Sequence, residues 1–389
     1  MVLQADDRTK RHLAYLILIT VLARIFIGSM IYEFSGQYVL QTAQDALSLI
    51  GFGQKSPTEY RDDRPFLERL GYTRDSRFYV EIAKKGYYLS DDDYSYLQLD
   101  FPEGLDRSSI LYSWPFMYPL LMRFFAFFMG FILAGLIVAN TATVASVMLF
   151  YFVALYYVGP QDAFKASILF SLFPYNLLTM ASFSDPLYVT FVLSSWLFYK
   201  RDNIVGAGFF AMLASLTRYP GVLLFPIITI LFANEKRRTV RLSQLMFSLA
   251  LFAVFSLPLL YWMFVYVPGH TGYNQLQLYT TFWDRILPGA AITSMTSFGF
   301  FYLYFAVIAA YYLKDINKGL VFYSFAFILF HLSVPSGEKS FGRYLGVVWP
   351  LFIYYGSKLD KMDMYFYSML FVFVGFFLLE LHANMVTWV

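Results

Sequence analysis

Cysteine is absent from all 389 residues, which excludes disulfides, thiolate nucleophiles and cysteine-ligated metal centres. Charge is scarce as well. Asp, Glu, Lys and Arg make up 14% of the chain, where a soluble domain carries roughly 25%. No Asn-x-Ser/Thr sequon occurs, so nothing calls for glycosylation of the chain itself. The four histidines, His12, His270, His331 and His382, lack metal-ligand spacing. No internal repeat, low-complexity linker or separate polar domain is visible, so residues 1–389 read as a single transmembrane domain. The net charge of +3 carries little information, since the sign that matters is local, and no nucleic-acid partner is expected.

What fills the chain is apolar. Hydrophobic residues reach 59% and aromatics 21%, with mean hydropathy +0.54. Repeated apolar runs of about 15–25 residues specify an all-α polytopic membrane protein. The first run is too long for a signal-peptide core and lacks a small-residue cleavage site, so it reads as the first span. Lys and Arg clusters orient the chain, since short basic loops stay cytoplasmic. These are Arg8, Lys10 and Arg11; Lys200 and Arg201; Lys236 to Arg241; Lys314 and Lys318; Lys358 and Lys361. Spans are expected near 12–35, 131–157, 164–181, 185–199, 204–217, 219–233, 242–267, 297–313, 319–333, 344–357 and 364–383. That is about 11 crossings, with the N-terminus inside. Residues 36–130 form a long first extracytoplasmic segment, in which 114–130 reads as a helix dipping into the outer leaflet. Several spans are short, as expected of tilted or half-length helices around a cavity.

The polar centre of this apolar chain is the stretch from Thr73 to Tyr88. Its spacing predicts a short amphipathic helix capped by Asp75 or Ser76 and stopped by Gly86. Phe78, Tyr79, Ile82 and Ala83 share one side, and Glu81 pairs with Lys84 or Lys85 on the other. Cations also break the positive-inside rule at the outer level: Arg218, Arg285, Lys339 and Arg343, with Asp185 beside them. Arg123 lies in the re-entrant segment. Cations gathered at one level beside a carboxylate point to an anionic ligand at the membrane boundary, a lipid phosphate being the simplest. The plainer readings are snorkelling for the cations, a helix cap for Asp75 and for Asp185 before Pro186, and a solvated loop for Asp91 to Asp93. Arg24, mid-span, requires an internal partner.

Five motifs carry a resemblance. The run R-D-S-R-F-Y-V-E-I-A-K-K-G-Y resembles the W-D-x-x-H/R-Y/F-x-x-I-A-x-x-G-Y segment of PIG-V-type mannosyltransferases, the family of GPI mannosyltransferase 2 and its archaeal and bacterial relatives. S-W-P-F-M-Y-P-L-L-M-R, S-F-S-D-P-L-Y, L-T-R-Y-P-G and G-R-Y-L-G-V-V-W-P-L-F are similar to four further family runs, in family order. Arg74 stands where the family has Trp, and Asp185 where it has Glu. The resemblance implies the GT-C fold and a polyprenyl-phosphate sugar donor such as dolichyl phosphate mannose, with a glycan or glycolipid as acceptor. It also implies contact with membrane lipids and allows a small membrane partner subunit.

On that basis Asp75 is expected to be the general base for the acceptor hydroxyl. Arg218, Lys339, Arg343 and Arg123 would hold the donor phosphate. Arg74, Arg77, Tyr79, Asp185, His270 and His331 would line the substrate site, with Arg74 and Arg77 keeping Asp75 ionised. No cofactor or metal is required, and transfer should invert the anomeric carbon. The other readings are another polyprenyl-phosphate sugar as donor, or a non-enzymatic flippase or scaffold for lipid-linked sugars. Compact length and the absence of sequons suggest a prokaryotic, foremost archaeal, plasma membrane with an extracytoplasmic site, the endoplasmic reticulum being the alternative.

Overall fold

The structure is a computed structural model that describes residues 6–34, 65–72, 75–87, 111, 114–235, 242–266, 297–333, 343 and 346–383. Arg74, Lys339, His270, Arg285 and Asp91 to Asp93 lie outside these residues. No strand occurs among the described residues. In chain order the helices are α1 (Asp7–Phe34), α2 (Phe66–Gly71), α3 (Asp75–Lys85), α4 (Met117–Met129) and α5 (Phe131–Ala154). Then come α6 (Pro160–Leu172), α7 (Pro174–Leu178), α8 (Asp185–Lys200), α9 (Ile204–Thr217) and α10 (Leu224–Glu235). The last are α11 (Leu242–Tyr261), α12 (Ser297–Tyr312), α13 (Lys318–Ser333), α14 (Pro350–Lys358) and α15 (Lys361–Ala383).

Among the described residues, four helices are long and apolar enough to cross a membrane: Asp7–Tyr32, Phe131–Ala154, Leu249–Tyr266 and Lys361–Leu379. Met117–Met129, Ile204–Thr217, Tyr219–Asn234 and Lys318–His331 are apolar but shorter. Their outer faces suit lipid rather than water: Phe127 is 86% exposed, Met369 74% and Tyr365 67%.

Three expected spans are built differently from a plain helix. The run at 164–181 breaks at Phe173, which is extended because Pro174 follows it. The run at 219–233 opens with a 3-10 turn, Tyr219–Leu223, before α10 begins. The run at 344–357 is helical in α14 only from Pro350, among its described residues.

The chain divides into two compact units, each discontinuous in sequence. The first comprises 1–69, 140–180 and 288–389. In it α6 packs on α1, α14 and α15, and α7 packs on α15. Its interior carries a polar seam along α1. His12 Nδ1 meets the Tyr151 hydroxyl at 2.9 Å, and Thr20 Oγ1 meets Ser171 Oγ at 2.8 Å. Arg24, 6% exposed, donates to Asn140 Oδ1 (2.6 Å), Thr143 Oγ1 (3.1 Å), the Asn176 carbonyl (2.6 Å) and Thr179 Oγ1 (3.3 Å). This supplies the internal partner that a mid-span arginine demands. The acceptors are neutral, and one is a carbonyl in the short helix α7.

The second unit comprises 70–139 and 181–287. Here α8 and α9 form an antiparallel pair that α10 and α11 cover, and α3 lies against α4. Its apolar core joins Phe78, Ile82, Tyr87, Leu216, Tyr219, Leu259 and Trp262.

Candidate active site

Helix α3 forms where its sequence predicts, at Asp75–Lys85. Asp75 sits in the first turn, half-buried, where the unpaired N–H groups and the helix dipole favour a carboxylate. Gly86 closes the helix at φ +79°, donating its N–H to the Ile82 carbonyl at 2.8 Å. Phe78, Tyr79, Ile82 and Ala83 are buried as expected. Glu81 is buried too, and its partners explain why it tolerates this. It accepts from Lys84 Nζ and from the Tyr72 hydroxyl, each at 2.9 Å.

Tyr79 leads from Asp75 to the rest of the site. Its hydroxyl lies 2.5 Å from Ser184 Oγ, and its ring meets Tyr118 edge-on with centroids 4.8 Å apart. Tyr118 in turn donates to the Gly135 carbonyl at 2.9 Å. Burial raises the Tyr79 phenol well above the ordinary tyrosine range, so it stays protonated. The charges that act on it are Arg218, Asp75 and Asp185, which brings these three into one neighbourhood.

Asp185 opens α8, with Pro186 in the first turn, yet Ser184 precedes it with no side-chain cap. Asp185 instead forms a buried ion pair with Arg218, Oδ1 to Nη1 at 2.5 Å. Their side chains are only 6% and 15% exposed. Arg218 reaches this position because α9 ends at Thr217 and Arg218 itself is extended, at φ −150° and ψ 137°. Pro220 lies in the first turn of the 3-10 segment that follows, and Gly221 presses on the Ala214–Ser215 backbone, where a Cβ would overlap. Asp75, Tyr79, Asp185 and Arg218, four of the residues singled out from the sequence, therefore share one cluster in the second unit. Sequence reasoning passed over its other members, Tyr118, Ser184 and Tyr188.

The remaining expected residues lie as follows. Arg77 sits over the Phe78 ring, 5.4 Å from guanidinium carbon to centroid. Arg123 is exposed on α4, beside Phe124, itself 64% exposed. Arg343 and His331 belong to the first unit. Arg343 is buried within electrostatic range of Tyr175. His331 is buried in α13, its Nδ1 2.7 Å from the Phe327 carbonyl one turn back.

Helical architecture and apolar spans of membrane-crossing length define an all-α membrane protein. Comparison of the chain with models of known families, with curated proteins and with solved structures finds no match.

Proposed function

We propose that this chain is a membrane glycosyltransferase of the GT-C type, with about 11 crossings, that moves a sugar from a polyprenyl phosphate to a lipid-linked hydroxyl. The observation that carries this reading is the neighbourhood of Asp75. A half-buried carboxylate at a helix start shares its surroundings with a buried Asp–Arg pair and three phenols, all in an otherwise apolar chain. Mannose on dolichyl phosphate is the foremost donor, by the resemblance of the five motifs.

In this mechanism Asp75 takes the proton of the acceptor hydroxyl as that oxygen attacks the anomeric carbon. The bond to the phosphate oxygen breaks, and the leaving phosphate departs as an anion that cations stabilise without protonation. Direct displacement inverts the anomeric carbon. Asp185 already neutralises Arg218, so Arg218 has less to offer an anion.

A flippase or scaffold would need polar groups through the membrane depth. The Arg24 network does lie mid-span, but each of its acceptors is intramolecular, which fits helix stapling. The deciding experiment is transfer from a labelled lipid-phosphate sugar by folded Asp75→Asn protein. The reading expects a loss of at least a hundredfold, in line with removal of a general base. Near wild-type activity removes Asp75 as the base.

A further inference from the structure

Tyr188 is fully buried one turn into α8, and its hydroxyl has no hydrogen-bond partner among the described residues. A buried phenol without a partner is costly, and phenols inside proteins almost always find one. This one lies within electrostatic range of both Asp185 and Arg218. It stands three residues after Asp185, on the same side of α8. A ligand hydroxyl would supply that partner.

The surrounding charges say what kind of molecule. Asp185 and Arg218 lie 2.5 Å apart and offset each other, and the further charge in this neighbourhood is the carboxylate of Asp75, so an anion gains nothing here. An apolar ligand would leave the phenol unpaired. A neutral ring bearing several hydroxyls offers the phenol its partner and can bridge to the ion pair beside it. Its O–H groups donate to the Asp185 carboxylate, and its oxygens accept from the Tyr188 phenol and from guanidinium N–H. The pair Tyr79 and Ser184 adds two further hydroxyls beside Asp185. We propose that Tyr188 and the Asp185–Arg218 pair form the subsite for a sugar ring, with Tyr188 as a specificity residue, and that Arg218 serves this ring rather than a phosphate. The assignment rests on the transferase reading above, whose donor it divides into a ring held here and a phosphate held elsewhere.

The test uses full-length protein in detergent, with wild type and Tyr188→Phe compared. The probes are methyl α-D-mannopyranoside, the corresponding glucoside and galactoside, and inorganic phosphate, read by calorimetry and by thermal unfolding. Wild type is expected to bind at least one glycoside. Tyr188→Phe should weaken that binding about threefold to tenfold, the worth of one hydrogen bond, with an unfolding temperature equal to or above wild type. Phosphate should not compete. Equal glycoside affinity in Tyr188→Phe overturns the proposal, since water would then be the phenol's partner. So does phosphate displacing the glycoside, or failure of wild type to bind any of the three sugars. Transfer kinetics separate the two readings. A Tyr188-dependent glycoside site without transfer from any lipid-phosphate donor overturns the transferase alone. Transfer with an unchanged donor KM in Tyr188→Phe overturns this subsite alone.

Discussion

Removing one member of a buried ion pair leaves the other charge stranded, which is a larger loss than the pair's own worth. Arg218→Met strands Asp185 and should cost about 3–5 kcal/mol in detergent unfolding, while Asp185→Leu combined with Arg218→Met should recover most of it. Additive losses in the double variant would show that the two side chains do not interact. Arg24→Met should also destabilise, by about 2–4 kcal/mol, because Asn140, Thr143 and Thr179 lose their donor together. A stability equal to wild type would show that the staple carries nothing. At this scale the sequence exposes charges in the wrong place, so Asp75, Asp185, Arg218 and Arg24 stand out unaided. It does not expose Tyr118 or Tyr188. Among 33 tyrosines in a chain rich in aromatics, one more phenol carries no signal until its neighbours are known. Nor could spacing reveal that Arg218 is neutralised by Asp185, since the two are brought together by the turn between α8 and α9 and the break after Thr217.

Helix α3 positions Asp75, and its far end is fixed by a residue in the left-handed region. Gly86→Ala should cost about 1 kcal/mol from that backbone conformation alone, since a Cβ there meets nothing within 4 Å. No change in unfolding would mean the cap is not needed. Element existence was legible because helical periodicity and stop signals coincide at α3, α8 and α9. What hydropathy could not convey is where the backbone bends inside an apolar run. The extended residue at Phe173 follows from the proline one position later, and Pro220 sits in the first turn of the 3-10 segment, yet the apolar pattern continues across each. The expected pairing of Glu81 with Lys84 forms, but spacing did not reveal Tyr72, which with Lys84 makes the burial of Glu81 tolerable.

Across the whole molecule, the absence of cysteine allows orientation to be read with single introduced thiols. With Lys85→Cys and Arg201→Cys, both at exposed positions, a membrane-impermeant reagent applied to intact cells should label the first and spare the second. The reverse pattern would invert the topology and place Asp75 on the cytoplasmic side. The class of protein was legible from composition, because only a lipid environment accommodates so apolar a helical chain. The division into two units was not, since each is assembled from segments far apart in sequence. The central claim is sugar transfer from a lipid phosphate. It is tested most directly by reconstituting wild-type protein in liposomes with acceptor lipid and a panel of labelled polyprenyl-phosphate sugars, followed by mass analysis of the lipid products. The account predicts that label from one donor, foremost the mannosyl one, appears on an acceptor with inverted anomeric configuration. Label that stays on its carrier for every donor tried, in protein shown to be folded, would contradict it.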